Sequence, residues 1–292
     1  MKQDTSLNEG CVLLLPRPSL AGCIFCATVY DTRHLTLRAD ERANYFPANP
    51  YCGINLFFEG RSLLFDGLEM EHGRAAPTPL PPAVFSGPQG QPRVSLDLGP
   101  VHVLWIGLYP DALQAMGGPQ PAAYFDKSVD LAAALAPPLE GLFIDALKLG
   151  SAAAAFEQIQ NALDPMWQAG RPQATLASRR ITDWTRHLAM RAATTGAGRS
   201  IRQAERRFKT WSGQTQRELA TLARSEEIFR QMMTRIGIEH EDWARLAYDA
   251  GYSDQSHLVR QTKQATGFSP ADLRRRIRTE RPFWVYRLMG DL

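Results

Sequence analysis

The order of hydrophobic and polar positions changes character partway along the 292-residue chain. Up to about residue 110 the apolar runs are short, rich in Ile, Val, Phe and Tyr, and bounded by turn residues. Gly22–Asp31, Tyr51–Phe58, Ser62–Phe65 and Val101–Tyr109 read as strands, with turns at Asn49-Pro50, Glu59-Gly60 and Asp66-Gly67. Short strands at this spacing predict a barrel or sandwich. Pro77–Pro92 carries six prolines and reads as a loop or an edge, not a central strand. Helical periodicity begins near Pro110, with candidates at Asp111–Met116 and Lys127–Ala136. A longer helix is expected over Leu139–Leu163, its apolar stripe including Phe143, Ala146, Phe156, Ile159 and Leu163. That helix would cover the barrel or pair with a second subunit. Asp164-Pro165 is expected to stop it, and Gly170-Arg171-Pro172 to link to an all-helical remainder. The expected domains are therefore 1–170 and 171–292.

The helical part repeats itself. Displaced by 54 residues, Ser200–Gly213 falls on Asp254–Gly267, matching Arg206 to Arg260, Lys209 to Lys263 and Gly213 to Gly267. Ser200 and Asp254 are good N-caps, the two glycines suit left-handed C-caps, and Thr215 and Ser269 can cap the next helix. A shorter helix precedes each copy, Ile181–Ala193 and Asp242–Ala250, the second through Gly251-Tyr252-Ser253. This pattern is a helix-turn-helix, present twice. Between the copies runs Gln216–Met233, a strut of about 27 Å. It would hold two reading helices about 34 Å apart, one turn of B-DNA, so that both enter the major groove on one face.

Charge sharpens the picture. The net +3 divides into 10 Lys and Arg against 17 Asp and Glu over 1–170, a net −7, and 23 against 13 over 171–292, a net +10. Arginine supplies 21 of the 23 later cations, which suits phosphate and guanine edges. This polarity fits a polyanionic partner or equally a solvated helical surface, and it is the tandem repeat that makes double-stranded DNA the expected partner. Composition is that of a folded globular chain, 44% apolar and 22% charged. No run reaches the roughly 18 apolar residues of a membrane span, and Cys11–Leu15 is too short for a signal-peptide core, so a cytoplasmic protein with no membrane partner is expected.

Leu246–Arg260, followed by Lys263, Thr266–Pro270 and Leu273-Arg274-Arg275, resembles the signature of AraC/XylS-type bacterial transcriptional regulators. The likeness covers roughly 178–280 and is looser over 198–230, where Gly198-Arg-Ser200, Arg206-Arg-Phe208 and Gly213 carry it. More weakly, Tyr45–Tyr51 and Tyr109-Pro-Asp111 resemble that family's cupin-like sensor domains. The resemblance implies an α+β two-domain fold: an N-terminal cupin-like β-barrel with helices, and a C-terminal all-α domain with two helix-turn-helix units. It implies a homodimer at promoter DNA, an unidentified small-molecule effector in the barrel, and leaves RNA polymerase open as a further partner. The implied reading faces are Ile201, Arg202, Glu205 and Arg206 in the first unit, and Gln255, Ser256, Val259 and Arg260 in the second. These are spaced as one face of a helix. Arg206 and Arg260 suit guanine, Gln255 suits adenine, Lys209 and Lys263 suit phosphate, and Glu205 suits cytosine N4 or an ion pair with Arg202. Val259 can make only apolar contact, and Thr262 stands where the family usually buries an aromatic, which Phe208 retains in the first copy.

All four cysteines, Cys11, Cys23, Cys26 and Cys52, lie in the acidic half. Cys23-Ile-Phe-Cys26 raises two alternatives: a redox-responsive regulator, or an alkyl-accepting repair regulator with a zinc-thiolate site. Paired C-x-x-C knuckles are missing, and the preferred reading is reduced core thiols. The six histidines are scattered without metal-ligand spacing, so no metal and no cofactor is expected. No nucleophile elbow or phosphate loop is present, and an enzyme is not expected. A third reading gives the front half only a dimerising role. The aromatics Phe46, Tyr51, Phe57, Phe58 and Trp105 are expected mostly in the core of the barrel, whose interior is also where a small ligand would sit, and Phe283–Tyr286 is expected to dock on the helical domain.

Overall fold

A computed structural model of the chain describes residues 5–68, 76–172, 180–195, 200–234, 243–249, 251–290 and 292. The strands are β1 (Cys11–Leu14), β2 (Ile24–Asp31), β3 (Ala43–Phe46), β4 (Cys52–Glu59), β5 (Ser62–Phe65), β6 (Thr78–Pro79), β7 (Ala83–Ser86), β8 (Arg93–Asp97), β9 (His102–Leu108) and β10 (Ser128–Asp130). They form a six-stranded sheet in the order β1-β2-β9-β4-β7-β10 and a four-stranded sheet in the order β3-β8-β5-β6. Along β4 and β9 the side chains alternate. Ile54, Leu56, Leu104 and Ile106 meet a helical layer, while Asn55, Phe57, Val103 and Trp105 line a cavity facing the smaller sheet.

Helices α1 (Pro110–Ala115), α2 (Leu131–Ala134), α3 (Leu139–Leu147) and α4 (Ala152–Gly170) build that outer layer. Four sequence expectations fail here. Pro77–Pro92 contains an interior strand, since β7 pairs with both β4 and β10. Its four residues, Ala-Val-Phe-Ser, hold no proline and so donate freely to both neighbours. Ser128–Asp130 is a strand, and only Leu131–Ala134 of the expected 127–136 segment is helical. The single helix over Leu139–Leu163 is two: Gly150 is left-handed (φ 66°) and Ser151 caps α4 by accepting from the Ala154 amide. Nor does Asp164-Pro165 end α4, which runs on to Gly170. Leu163 and Trp167 lie on one buried stripe, and Asp164 accepts from Ser19 Oγ (2.9 Å) and Gln168 Nε2 (3.0 Å). Side-chain packing thus outweighs the one backbone bond that Pro165 removes. Of the two roles expected for this apolar stripe, the structure shows the covering of the barrel, with Phe143, Ala146, Ile159 and Leu163 fully buried in the shared core.

The remaining helices are α5 (Ile181–Thr194), α6 (Ile201–Ser212), α7 (Gln216–Thr234), α8 (Trp243–Asp249), α9 (Gln255–Thr266), α10 (Pro270–Thr279) and α11 (Trp284–Met289). Trp184, Leu188, Phe208, Leu219 and Leu222 continue the core beneath the barrel's helices. Ile228, Ala247, Tyr252 and Leu258 form a second cluster, and Met232, Leu273, Ile277, Phe283 and Tyr286 a third. The expectation for Phe283–Tyr286 is half right. Phe283 and Tyr286 dock on the helices, but Trp284, with Leu288, packs on Tyr30, Val101 and Val103 of the barrel. Residues one and two apart on a helix face different ways, so the segment serves both sides. No helix among the described residues is long and apolar enough to cross a membrane.

Candidate nucleic-acid interface

The two helices expected to read DNA are built alike. Ser200 Oγ accepts from the Gln203 amide at 3.3 Å, and Asp254 Oδ1 from the His257 amide at 2.7 Å. Gly213 (φ 78°) and Gly267 (φ 84°) close α6 and α9 in the left-handed conformation that an L side chain resists. Thr215 and Ser269 cap α7 and α10 through the amides of Glu218 (3.3 Å) and Asp272 (3.2 Å). A further pair escaped the sequence reading: Ser212 Oγ donates to Phe208 O (2.8 Å) and Thr266 Oγ1 to Thr262 O (2.7 Å). Each hydroxyl also accepts from the amide two residues on, at 3.2 Å. Gln214 and Phe268 supply those amides.

Ile201, Arg202, Glu205, Arg206 and Lys209 are all exposed, Ile201 at 78%. Gln255, Ser256, Arg260 and Lys263 are exposed and Val259 is half-buried. Opposite these faces, Phe208 and Leu258 are buried. Gly198 and Arg199 of the first copy lie outside the described residues, as do His72 and His240.

The helical region is clasped to the barrel side at a point the sequence did not reveal. Asp111, in the first turn of α1, accepts from Trp184 Nε1 (3.0 Å) and pairs with Arg191 Nη1 (2.6 Å). The side chains of Arg191 and Asp111 are 18% and 9% exposed. Arg191 also lies over the Trp211 ring, 5.0 Å from its centroid. Tyr109-Pro-Asp111 carries the family likeness, but its partners are more than 70 residues away. Nothing local marks them.

Between the sheets lies a cavity of about 150 Å³. Trp105 lies flat on its floor, close enough that a Cβ at Gly53 would come within 2.6 Å of the indole nitrogen. Phe46, Tyr51 and Phe57 line it as well, whereas Phe58 packs on His102. Strand β8 adds a polar edge of Arg93, Ser95 and Asp97. Arg93 donates to Ser128 Oγ (3.2 Å) and to the Asp126 carbonyl. Asp97 accepts from Ser62 Oγ (2.6 Å) and Asn44 Nδ2 (2.9 Å), and burial pushes its carboxyl up to about 6.

Burial disfavours ionisation of three of the four thiols. None of the four cysteines is in a disulfide, and burial pushes Cys23 and Cys52 well up and Cys11 up to about 12. Such thiols ionise rarely and make poor nucleophiles. Among the described residues no three His, Cys, Asp or Glu side chains gather as a metal site.

Glu226 of α7 accepts from the Ile181 amide (2.9 Å) at the start of α5, and burial pushes its carboxyl up to about 7. A carboxyl raised on folding favours the native state most below its unfolded value, and that advantage fades as pH climbs through the folded value. Between about pH 4.5 and 7 Glu226 is therefore expected to withdraw up to about 3 kcal/mol of stability. His102 and His187, both held low chiefly by burial, pull the opposite way near their ordinary range. Comparing wild type with Glu226→Gln by urea unfolding across this window isolates the carboxyl. Parallel curves for the two proteins would show that it does not titrate on folding.

Residues 194–276 match the helix-turn-helix domain family. No curated protein matches the chain. Among solved structures, ToxT from Vibrio cholerae O395 is 10% identical, covering 93% of this chain and 99% of its own, at a TM-score of 0.39. The same protein bound to (E)-4-(8-methylnaphthalen-1-yl)but-3-enoic acid is 11% identical over 85% and 97%, with a TM-score of 0.39. Unsaturated fatty acid bound ToxT from strain SCE256 is 11% identical over 85% and 94%, with a TM-score of 0.37. Residues 194–276 are thus a helix-turn-helix domain.

Proposed function

We propose that α6 and α9 are the two DNA-reading helices of a regulator controlled by a small molecule held in the barrel cavity, with residues 1–170 as sensor and 171–292 as DNA-binding domain. The observation that carries the reading is the duplicated framework: two helices with the same caps and the same hydroxyl bonds, each turning a cationic face outward. Those faces carry Arg202, Arg206, Lys209, Arg260 and Lys263, all exposed. In this reading Arg206 and Arg260 each take guanine O6 and N7, Gln255 takes adenine, and Lys209 and Lys263 take phosphate. Ile201, Ser256 and Val259 fill the groove between these contacts, and Glu205 accepts from cytosine N4 or offsets Arg202.

The test uses the full chain and a duplex selected from a random pool. Binding is expected to weaken about a thousandfold between 50 and 200 mM salt, because each neutralised phosphate releases counterions. Arg206→Ala and Arg260→Ala should each lose about 1–3 kcal/mol on the selected duplex and much less on a scrambled one, with the larger loss at Arg206. Lys263→Ala should weaken both duplexes about equally. Equal weakening of both duplexes by Arg206→Ala would make that residue a phosphate contact instead.

A homodimer belongs to the same proposal, because two weakly bound half-sites gain from being tethered. With the inner stripe of α3 and α4 buried, the contact would use the outer faces of those helices. Sedimentation at micromolar protein is expected to show a dimer, and a monomer there counts against it.

A further inference from the structure

The polypeptide that leaves the second helix-turn-helix unit ends against the cavity of the barrel. Val285, Leu288, Met289 and Leu292, with Trp284, line that cavity together with Phe57 and Val103, against which Trp284, Val285 and Leu288 pack. The indole of Trp284 lies parallel to the Tyr30 ring, 4.6 Å between centroids. Its N–H donates to Asn44 Oδ1 at 2.7 Å, and Asn44 Nδ2 in turn donates to Asp97 Oδ2 at 2.9 Å. The polar edge of the cavity and the C-terminal helix are therefore joined by one chain of buried hydrogen bonds.

The same helix is fastened to α10. Arg287, buried at 5% exposure, donates to the carbonyls of Ile277 (2.7 Å), Glu280 (2.9 Å) and Arg281 (2.9 Å), where the helix dipole favours a cation. It also donates to Leu7 O (2.9 Å) and to Asn8 Oδ1, so one guanidinium binds together the start of the chain, α10 and α11. A displacement of α11 must carry the end of α10 with it or break these bonds.

We propose that Trp284, Val285, Leu288 and Met289, with Leu292, are a wall of the effector site, so that a compact, mostly apolar ligand is gripped by both the barrel and the C-terminal helix. The inference rests on the barrel cavity being the effector site. A space of about 150 Å³ suits a molecule of about one aromatic ring. A ligand that touches α11 stabilises its docking, and by linkage the docked helix strengthens ligand binding by the same factor. Through Arg287 the second DNA-reading unit then feels the occupancy of the cavity.

The test titrates p-xylene into the full-length protein and follows the indole resonances of Trp105 and Trp284, the latter assigned through Trp284→Phe. Both are expected to shift along one saturation curve, and amide exchange in α10 to slow with it. Leu288→Ala should weaken p-xylene binding at least fivefold. Trp284→Phe, which keeps a ring against Tyr30 but loses the bond to Asn44, should weaken it as well. Val12→Ala, on the 50%-exposed outer face of β1, should leave it unchanged. A shift of Trp105 alone, with slowed exchange confined to the strands, would overturn the proposal, as would the absence of any saturable shift. DNA binding is read separately in the same preparation. A protein that binds DNA but not p-xylene sinks this inference and leaves the DNA-reading assignment standing.

Discussion

Asp111→Ala is expected to destabilise the protein by about 3–5 kcal/mol, because it strands a guanidinium and an indole N–H at a buried boundary. Arg191 is 18% exposed and its ion pair with Asp111 is 2.6 Å long. A pair that water reaches freely contributes little, but removing one partner of a nearly buried pair leaves the other charge poorly solvated. Trp184 Nε1 loses its acceptor in the same step. Asp111→Asn separates the two effects: it can still accept from the indole, yet carries no charge for Arg191, and should fall between wild type and alanine. Stacking of Arg191 on Trp211 survives in both variants and limits the loss. Urea unfolding of the three proteins checks this. An Asp111→Ala loss below about 1 kcal/mol would mean that water screens the clasp and that other contacts hold the helical region to the barrel.

The clasp also explains what could be read in the sequence and what could not. The duplicated helices were legible because their signals are local. A capping Ser or Asp, an arginine, a lysine and a glycine recur at fixed spacing, and each acts within one or two turns of itself. Long strands such as β2, β4 and β9 were legible because they are nearly continuous apolar runs, as strands buried on both faces must be. Strands β3, β7 and β8 were not. They are four or five residues long, hold Asn44, Ser86, Arg93 and Asp97 in buried positions, and sit among prolines. Only neighbouring strands and the bonds among Asn44, Ser62 and Asp97 make such residues acceptable inside. The C-terminal helix is the extreme case, since Trp284 finds its acceptor 240 residues earlier. Nothing in the pattern of residues 280–292 distinguishes an amphipathic end that docks on its own domain from one that docks on another.

Phe208→Ala is expected to cost about 3–5 kcal/mol, far more than the corresponding change at Thr262, although the two positions are equivalent in the repeat. Phe208 is 3% exposed and packs in the large core with Trp184, Leu188 and Leu219. Thr262, equally buried at 7%, spends its hydroxyl on Leu258 O (2.9 Å) in its own helix and leaves a cavity of about 60 Å³ beside it. Leu222, Met232, Tyr286 and, from the barrel, Phe25 line that space. Thr262→Ala removes few contacts and should cost about 1 kcal/mol or less. Thr262→Leu puts methyl groups into the void, and cavity filling of this kind typically stabilises by about 0.5–2 kcal/mol. The asymmetry bears on function because a reading helix is only as selective as its angle is fixed. Alpha-helix α6 is held by a ring, whereas α9 is held by a threonine against a gap. Thr262→Leu is therefore expected to raise stability and to sharpen base preference at the pairs proposed for Gln255 and Arg260, leaving those proposed for α6 unchanged. Chemical unfolding and selection from a random duplex pool measure the two effects. Equal losses for Phe208→Ala and Thr262→Ala would show that both copies are packed to the same tightness, and the expected difference in selectivity would lose its cause.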